Sequence, residues 1–171
     1  RSDLHFVIAG RGDSSYSERV KDMARSLPNV TYLGEIDDKE KVLLIKASYL
    51  NILMSRLEAL GLAQLEFMYF GIPVITSAVG GQAWLIRNRQ EGIHIQGPDD
   101  IKSAANAITR LIDNPDIWSR LSVNAKEKAR DLTMSRLTAE LDTALTEELM
   151  KESGLTKIPV DVRSTLAELE C

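Results

Sequence analysis

Cysteine is almost absent from this sequence, which carries one, Cys171, at the last of its 171 positions. A single thiol cannot form a disulfide within the chain, and without a cluster of cysteines and histidines we expect no structural zinc site. No apolar run reaches the ~18 residues of a membrane-spanning helix. The first residues, Arg1-Ser2-Asp3, do not resemble a signal peptide. They stand so close to a strand-like run that we expect the sequence to be a piece of a longer chain.

The sequence also has fewer basic than acidic residues: 21 lysines and arginines against 25 aspartates and glutamates, for a net charge of −4. This balance argues against a broad surface for duplex DNA or RNA, so no nucleic-acid partner is expected. With 44% hydrophobic and 27% charged residues, the composition is typical of a folded globular chain. The length suits one domain, which we place over residues 1–150, with residues 151–171 as a tail or docking segment.

Short apolar runs alternate with segments of helical spacing, and glycine or proline separates most of them. The predicted strands cover residues 4–9, 30–33, 49–54, 73–76 and 92–95. The predicted helices cover residues 17–26, 38–47, 62–70, 83–87, 99–113, 115–130 and 135–151, and Asp37 or Asp38 can cap the second of them. Alternating strands and helices predict an α/β fold, a doubly wound parallel sheet with helices on both faces.

The first predicted strand ends in Gly10-Arg11-Gly12-Asp13, which resembles the start of the dinucleotide motif Gly-x-Gly-x-x-Gly. Ser15 stands where the third glycine belongs, and the sequence has no Gly-Lys-Ser/Thr phosphate-binding loop. Hydride transfer on a nicotinamide and P-loop phosphoryl transfer therefore lose support. Two interpretations of this Gly-x-Gly segment remain open: a tight turn that needs positive φ, or a place where the missing Cβ atoms let a ligand approach the backbone.

The loop after the third strand carries the most informative residues. Glu58 lies in this loop, Gly61 and Leu62 lie at the expected start of the next helix, and Glu66 lies about one turn inside it. Backbone N–H groups at a helix start bind anions, so a diphosphate can bind there without a basic side chain. Glu58 can accept hydrogen bonds from sugar hydroxyls, and Glu66 from a vicinal diol such as that of ribose. The alternative is that both are surface carboxylates, one of them supporting the helix N-terminus.

The spacing of Glu58 and Glu66, followed by Gly-Ile-Pro-Val-Ile over residues 71–75, resembles the retaining GT-B glycosyltransferases with a Glu-x7-Glu motif (glycosyl transferases group 1). The segment 30–34, the pair Gly80-Gly81 and the segment 91–93 resemble further parts of that family, so the match covers about residues 4–130. The resemblance implies a Rossmann-like fold, one half of a GT-B enzyme. Leu60 and Trp84 depart from the family, which commonly has phenylalanine and an acidic or polar residue there.

By this resemblance the chain is the donor-binding half of an enzyme that transfers a sugar from a UDP-, GDP- or ADP-sugar with retention, without a tightly bound cofactor or metal. Glu58 would contact the donor sugar near the reacting carbon. The implied donor-binding residues are Gly12 close to the donor, Ile36 and Asp37 at the base, Lys41 near the nucleotide, Gly61 and Leu62 at the diphosphate, and Glu66 at the ribose.

The resemblance also implies what this chain lacks. A basic Arg and Lys pair and an N-terminal domain that binds the acceptor (a glycan, a lipid or a small molecule) would precede residue 1, and the fragment alone would be inactive. The expected location is cytoplasmic, or peripheral to the inner membrane face for the full-length enzyme. Two other functions stay open. One is a non-catalytic nucleotide-binding module of the same fold. The other is a glycoside hydrolase, which needs two carboxylates ~5–9.5 Å apart, one of them with a raised pKa. The helix start near Glu66 argues against this function, because it favours the ionised form of that carboxylate.

Overall fold

A computed structural model describes residues 3–12 and 15–132. The helix predicted over 135–151 and the segment 151–171 lie outside the described residues. The chain divides into two compact units, Arg1–Asn51 and Ile52–Cys171, and each is considered by itself. Within the described residues, every helix is too short or too polar to span a bilayer.

The first unit is built from two parallel strands, each followed by a helix. Its elements are β1 (Phe6–Ala9), α1 (Ser15–Arg25), β2 (Val30–Gly34) and α2 (Asp38–Ala47). Phe6 pairs with Val30 in the register of the two strands, and the Gly10 N–H continues the ladder by donating to the Gly34 carbonyl at 2.7 Å. Ala24 and Ile45 are the buried apolar side chains of its helices.

The second unit has a three-stranded sheet in the order β3-β4-β5. Its elements are β3 (Asn51–Leu53), α3 (Leu62–Tyr69), β4 (Val74–Thr76), α4 (Gln82–Leu85), β5 (Gly92–His94), α5 (Ile101–Asp113) and α6 (Pro115–Asp131). β4 and β5 are parallel, with Val74 opposite Gly92. A Cβ on Gly92 would lie 2.3 Å from the Val74 carbonyl oxygen, so glycine is required for these strands to approach.

A buried apolar cluster holds α3 and β4 in place. It consists of Met68, Val74, Leu85, Ile86, Ala125 and Ala129. The two alanines lie one turn apart on α6, and their small side chains allow α3 to pack closely against that helix. This packing fixes the helix whose N-terminus follows the Glu58 loop.

The observed parallel strands with intervening helices confirm the predicted fold class, although several boundaries differ. The strand predicted over 49–54 is observed as Asn51–Leu53, and the first helix begins at Ser15 rather than at 17. The short helix predicted over 83–87 is observed as Gln82–Leu85. It ends early because the Arg87 N–H donates to the Glu91 carboxylate at 2.8 Å instead of to a helical carbonyl.

Candidate functional site

The loop after β3 folds back so that its glutamate meets the start of α3. The Glu58 Oε1 atom accepts hydrogen bonds from the backbone N–H groups of Ala59, at 3.1 Å, and of Gly61, at 3.2 Å. Gly61 is the residue before the helix, with φ of 81°, a left-handed conformation that favours glycine. The carboxylate of Glu58 is therefore the anion that stabilises this helix N-terminus.

Glu58 accepts from the Gly61 N–H, and the first turn of α3 has further backbone N–H donors. Among the described residues, no acceptor is recorded for the N–H groups of Leu62 and Ala63, and the Leu62 side chain is exposed. Unpaired N–H groups at an exposed helix start, together with the helix dipole, bind anions. Glu66 lies one turn farther along α3 and is half-buried. The structure thus brings Glu58, Gly61, Leu62 and Glu66 to the beginning of a single helix.

The loop after β4 packs directly beneath the Glu58 loop. A Cβ on Gly80 would lie 2.0 Å from the Glu58 carbonyl oxygen, and a Cβ on Gly81 would lie 1.7 Å from that of Ala59. The Gly81 N–H also donates to the Glu58 carbonyl at 3.2 Å. Only glycine permits this approach, so Gly80 and Gly81 position the backbone that carries Glu58. The sequence shows the glycine pair, but its spacing does not indicate which backbone it touches.

Buried amides lie under the same turn, and sequence reasoning missed them. Gln64 and Gln82 have no exposed surface, and the Thr76 hydroxyl donates to the Gln82 Oε1 atom at 2.7 Å. Both polar atoms of Gln64 and the Nε2 atom of Gln82 have no hydrogen-bond partner within the described part of the chain. The Gln64 Oε1 atom would lie 2.9 Å from a Cβ on Gly61, so this side chain reaches the start of α3. Glutamine at core-facing helix positions is the signal that could have revealed these residues.

The contacts of Gly12 with α1 and of Trp84 with α6 were not indicated by the sequence. A Cβ on Gly12 would lie 2.1 Å from the Ser17 Oγ atom, so the space that this glycine provides is taken up by α1. Trp84 is exposed on α4, and the Lys128 ammonium group lies 5.0 Å from its ring centroid. That distance is within the range of a cation–π contact.

The other candidate residues of the first unit lie together at the start of α2. Asp37 caps this helix: its Oδ1 atom accepts from the Glu40 N–H at 2.8 Å, and the Glu40 carboxylate accepts from the Asp37 N–H at 3.0 Å. Of the two caps that the sequence allowed, Asp37 is therefore the one used. The Lys41 ammonium group lies 3.2 Å from Asp38, and Ile36 is half-buried.

No cluster of three or more histidine, cysteine or acidic side chains that could hold a metal ion occurs within residues 3–12 and 15–132. The donors of the candidate site are instead backbone N–H groups, with two carboxylates beside them. Such an arrangement can bind a ligand that combines a phosphate group with hydroxyl groups.

Comparison with known proteins places these residues in a family. Residues 1–130 match the family described as glycosyl transferases group 1. The D-rhamnosyltransferase WbpZ of Pseudomonas aeruginosa is 30% identical over 134 residues, which cover 77% of this chain and 35% of that protein. A D-inositol 3-phosphate glycosyltransferase of Thermobispora bispora is 33% identical over 119 residues, 70% of this chain and 27% of that protein. The chain thus spans about a third of the length of these relatives.

Solved structures agree with the observed fold. Sucrose-phosphate synthase from Thermosynechococcus elongatus superposes with a TM-score of 0.71 at 22% identity, covering 89% of this chain and 47% of that one. HepE from Anabaena, in complex with UDP-glucose, gives a TM-score of 0.71 at 22% identity, covering 84% and 40%. These likenesses confirm the predicted Rossmann-like α/β fold. With the family match over residues 1–130, they lead to one conclusion: the chain belongs to the glycosyl transferases group 1 family.

Proposed function

We propose that this chain is the donor-binding half of a retaining glycosyltransferase and that the Glu58 and Glu66 pair is a working Glu-x7-Glu motif. The chain binds a nucleotide-diphosphate sugar and, together with an N-terminal acceptor domain, transfers the sugar to a glycan, a lipid or a small molecule. The observation that carries this proposal is the start of α3, where backbone N–H groups without an acceptor in the described part of the chain lie beside Glu58 and one turn from Glu66.

The diphosphate is the part of the donor that the α3 N-terminus suits best. The N–H groups of Leu62 and Ala63 can donate to phosphate oxygens, and the helix dipole favours negative charge at this end. Gly61 adds a third donor, which Glu58 occupies in the structure. An incoming diphosphate and the Glu58 carboxylate would compete for this N–H, so we infer that donor binding displaces Glu58.

Once displaced, Glu58 is free to accept hydrogen bonds from donor hydroxyls near the reacting carbon, which is the catalytic role proposed for it. Glu66, one turn inside the helix, binds the ribose, because one carboxylate can accept from two neighbouring hydroxyls. For the first unit, the family resemblance supports roles at the base for Ile36 and Asp37, near the nucleotide for Lys41 and close to the donor for Gly12. The HepE complex with UDP-glucose makes UDP the first nucleotide to test, ahead of GDP and ADP.

Calorimetric titration of the chain with UDP, GDP and ADP tests the proposal. We expect one nucleotide to bind, and Glu66→Ala to weaken that binding about tenfold or more, because a hydrogen bond to a charged group contributes about 1.5–3 kcal/mol. Glu127→Ala, which removes an exposed carboxylate on α6, is the matched control and should bind as the unaltered chain does. Failure of all three nucleotides to bind at millimolar concentration contradicts the proposal.

Retention needs its own experiment, on the polypeptide that includes the acceptor domain. The configuration at the anomeric carbon of the product, read by NMR before it equilibrates, should match that of the donor. An inverted product would leave donor binding intact and refute the retaining mechanism. Nucleotide binding without any transfer would instead favour a non-catalytic module.

A further inference from the structure

A groove with a volume of about 220 Å³ opens in the second unit where residues of β5, α5 and α6 meet. Three of its lining residues are arginines, Arg89, Arg110 and Arg120, and all three are exposed. The groove is also lined by the polar side chains of Asn88 and Ser103, whereas none of the described residues that line it is an aspartate or a glutamate. Its charge is therefore opposite in sign to the net charge of −4 of the whole chain.

The three guanidinium groups have no acidic partner among the residues that the structure describes. Other arginines of this unit do have one: Arg56 lies 2.7 Å from Asp99, and Arg87 pairs with Glu91. Three positive charges that no acidic side chain of the described residues pairs repel each other around one depression, and a bound anion offsets that repulsion. An arginine can offer two parallel N–H donors to a phosphate, which makes this residue type suited to the role.

The backbone of Arg89 provides an independent indication. Its φ of 63° is left-handed, and its N–H donates to the Gly92 carbonyl at 2.7 Å in the turn before β5. Glycine adopts this conformation without steric cost, whereas any residue with a Cβ is strained there. Strained residues of this kind concentrate at ligand-binding sites. An arginine at this position destabilises the turn and at the same time brings a guanidinium group to the edge of the groove.

We propose that this groove binds a small soluble phosphate ester, at a site separate from the α3 N-terminus. Its volume is several times the ~30 Å³ that one water molecule takes up, so it can hold a phosphate group with a small organic substituent. Asn88 adds a neutral donor, because its Oδ1 atom accepts from the His94 N–H at 3.1 Å and its NH₂ group can face a ligand. The site goes beyond the proposed function, since none of its residues belongs to the donor site.

Calorimetric titration with inorganic phosphate and with glycerol 3-phosphate, at constant ionic strength, tests the site. We expect saturable binding that Arg110→Gln and Arg120→Gln each weaken about tenfold or more, because each removes a charge-assisted hydrogen bond. Lys102→Gln removes an exposed charge from α5 outside the groove and serves as the matched control. Equal affinity in the arginine variants and the control would overturn the proposal.

Arg89→Gly separates ligand binding from folding. It should raise the melting temperature, because it relieves the left-handed strain, while it weakens phosphate binding. Unchanged phosphate affinity in this variant would overturn the proposal. So would displacement of phosphate by UDP together with stronger phosphate binding in Glu58→Gln, which would place the phosphate at the donor site. Binding to vesicles that contain phosphatidic acid, without binding to either soluble phosphate, would replace the small-molecule site with a membrane contact.

Discussion

Gly81→Ala tests the packing on which the proposed donor site depends. Gly81 has φ of −64° and ψ of −17°, a conformation that alanine adopts readily, so the substitution introduces no backbone strain. Its effect is steric, because the new methyl group would lie 1.7 Å from the Ala59 carbonyl oxygen. Real Cβ contacts are almost never shorter than 3.0 Å, so the two loops must separate by at least about 1.3 Å.

The magnitude follows from two opposing effects on the free energy of unfolding. Replacing glycine by alanine at a compatible position stabilises by about 0.4–1 kcal/mol through the unfolded chain. Forcing a methyl group into a closely packed site costs about 1–3 kcal/mol. We expect a net destabilisation of about 1–2 kcal/mol. The displaced loop also carries Glu58 and leads into the N–H groups of α3, so nucleotide affinity should fall about tenfold, the loss of one charge-assisted hydrogen bond.

Urea unfolding and UDP titration measure the two effects. Gly97→Ala is the matched control, because no atom lies within 4 Å of the position its Cβ would occupy. If Gly81→Ala has the stability and the UDP affinity of this control, the loops do not support each other as described. The role assigned to Gly81 is then wrong.

Three further predictions concern carboxylates. Glu58→Gln removes the charge that opposes a diphosphate, so we expect calorimetry to show UDP affinity rising a few-fold; a fall would contradict displacement. Glu91→Gln weakens the ion pair between the buried Glu91 carboxylate and the exposed Arg87 guanidinium group, and should lower the free energy of unfolding by about 2 kcal/mol in urea. The hydrogen bonds from Ser103 lower the pKa of Asp100 in the folded chain. The stability that Asp100 contributes is therefore fully present above the unfolded-state pKa and is lost as the pH falls through the lower folded-state pKa. In Asp100→Asn, the melting temperature should fall less steeply with pH below about pH 4 than it does in the unaltered chain. If it falls equally steeply in both, the Asp100 cap is not the cause of the fall.

The elements of this fold were predictable because they follow local rules. Asp37 caps α2 through contacts with Glu40, three residues away, and such caps are visible in the sequence itself. Proline and glycine mark most boundaries for similar reasons, as at Pro115, which begins α6. The early end of α4 was not predictable, because it depends on a buried Glu91 carboxylate that a sequence pattern treats as exposed.

The positions of the candidate residues relative to α3 were predictable from the sequence, but their contacts were not. The spacing of Glu58 and Glu66 places both at one helix start, since the helix repeat is local. The contact of Gly81 with Ala59 joins two loops that follow different strands, and the burial of Gln64 depends on elements that pack from outside its own helix. Such contacts depend on tertiary packing, which composition and periodicity do not encode.

The contact between Glu58 and Gly61 bears on both interpretations of this glutamate. As a support for the helix N-terminus, Glu58 already fulfils the simpler role. The same contact is also what a donor site needs when empty, because a carboxylate that accepts from Gly61 satisfies an N–H group that would otherwise lack an acceptor. A second anion would compete for that donor under both interpretations. Competition for that donor shows displacement in either case, so a catalytic role requires in addition that Glu58→Gln lowers sugar transfer by the polypeptide that includes the acceptor domain.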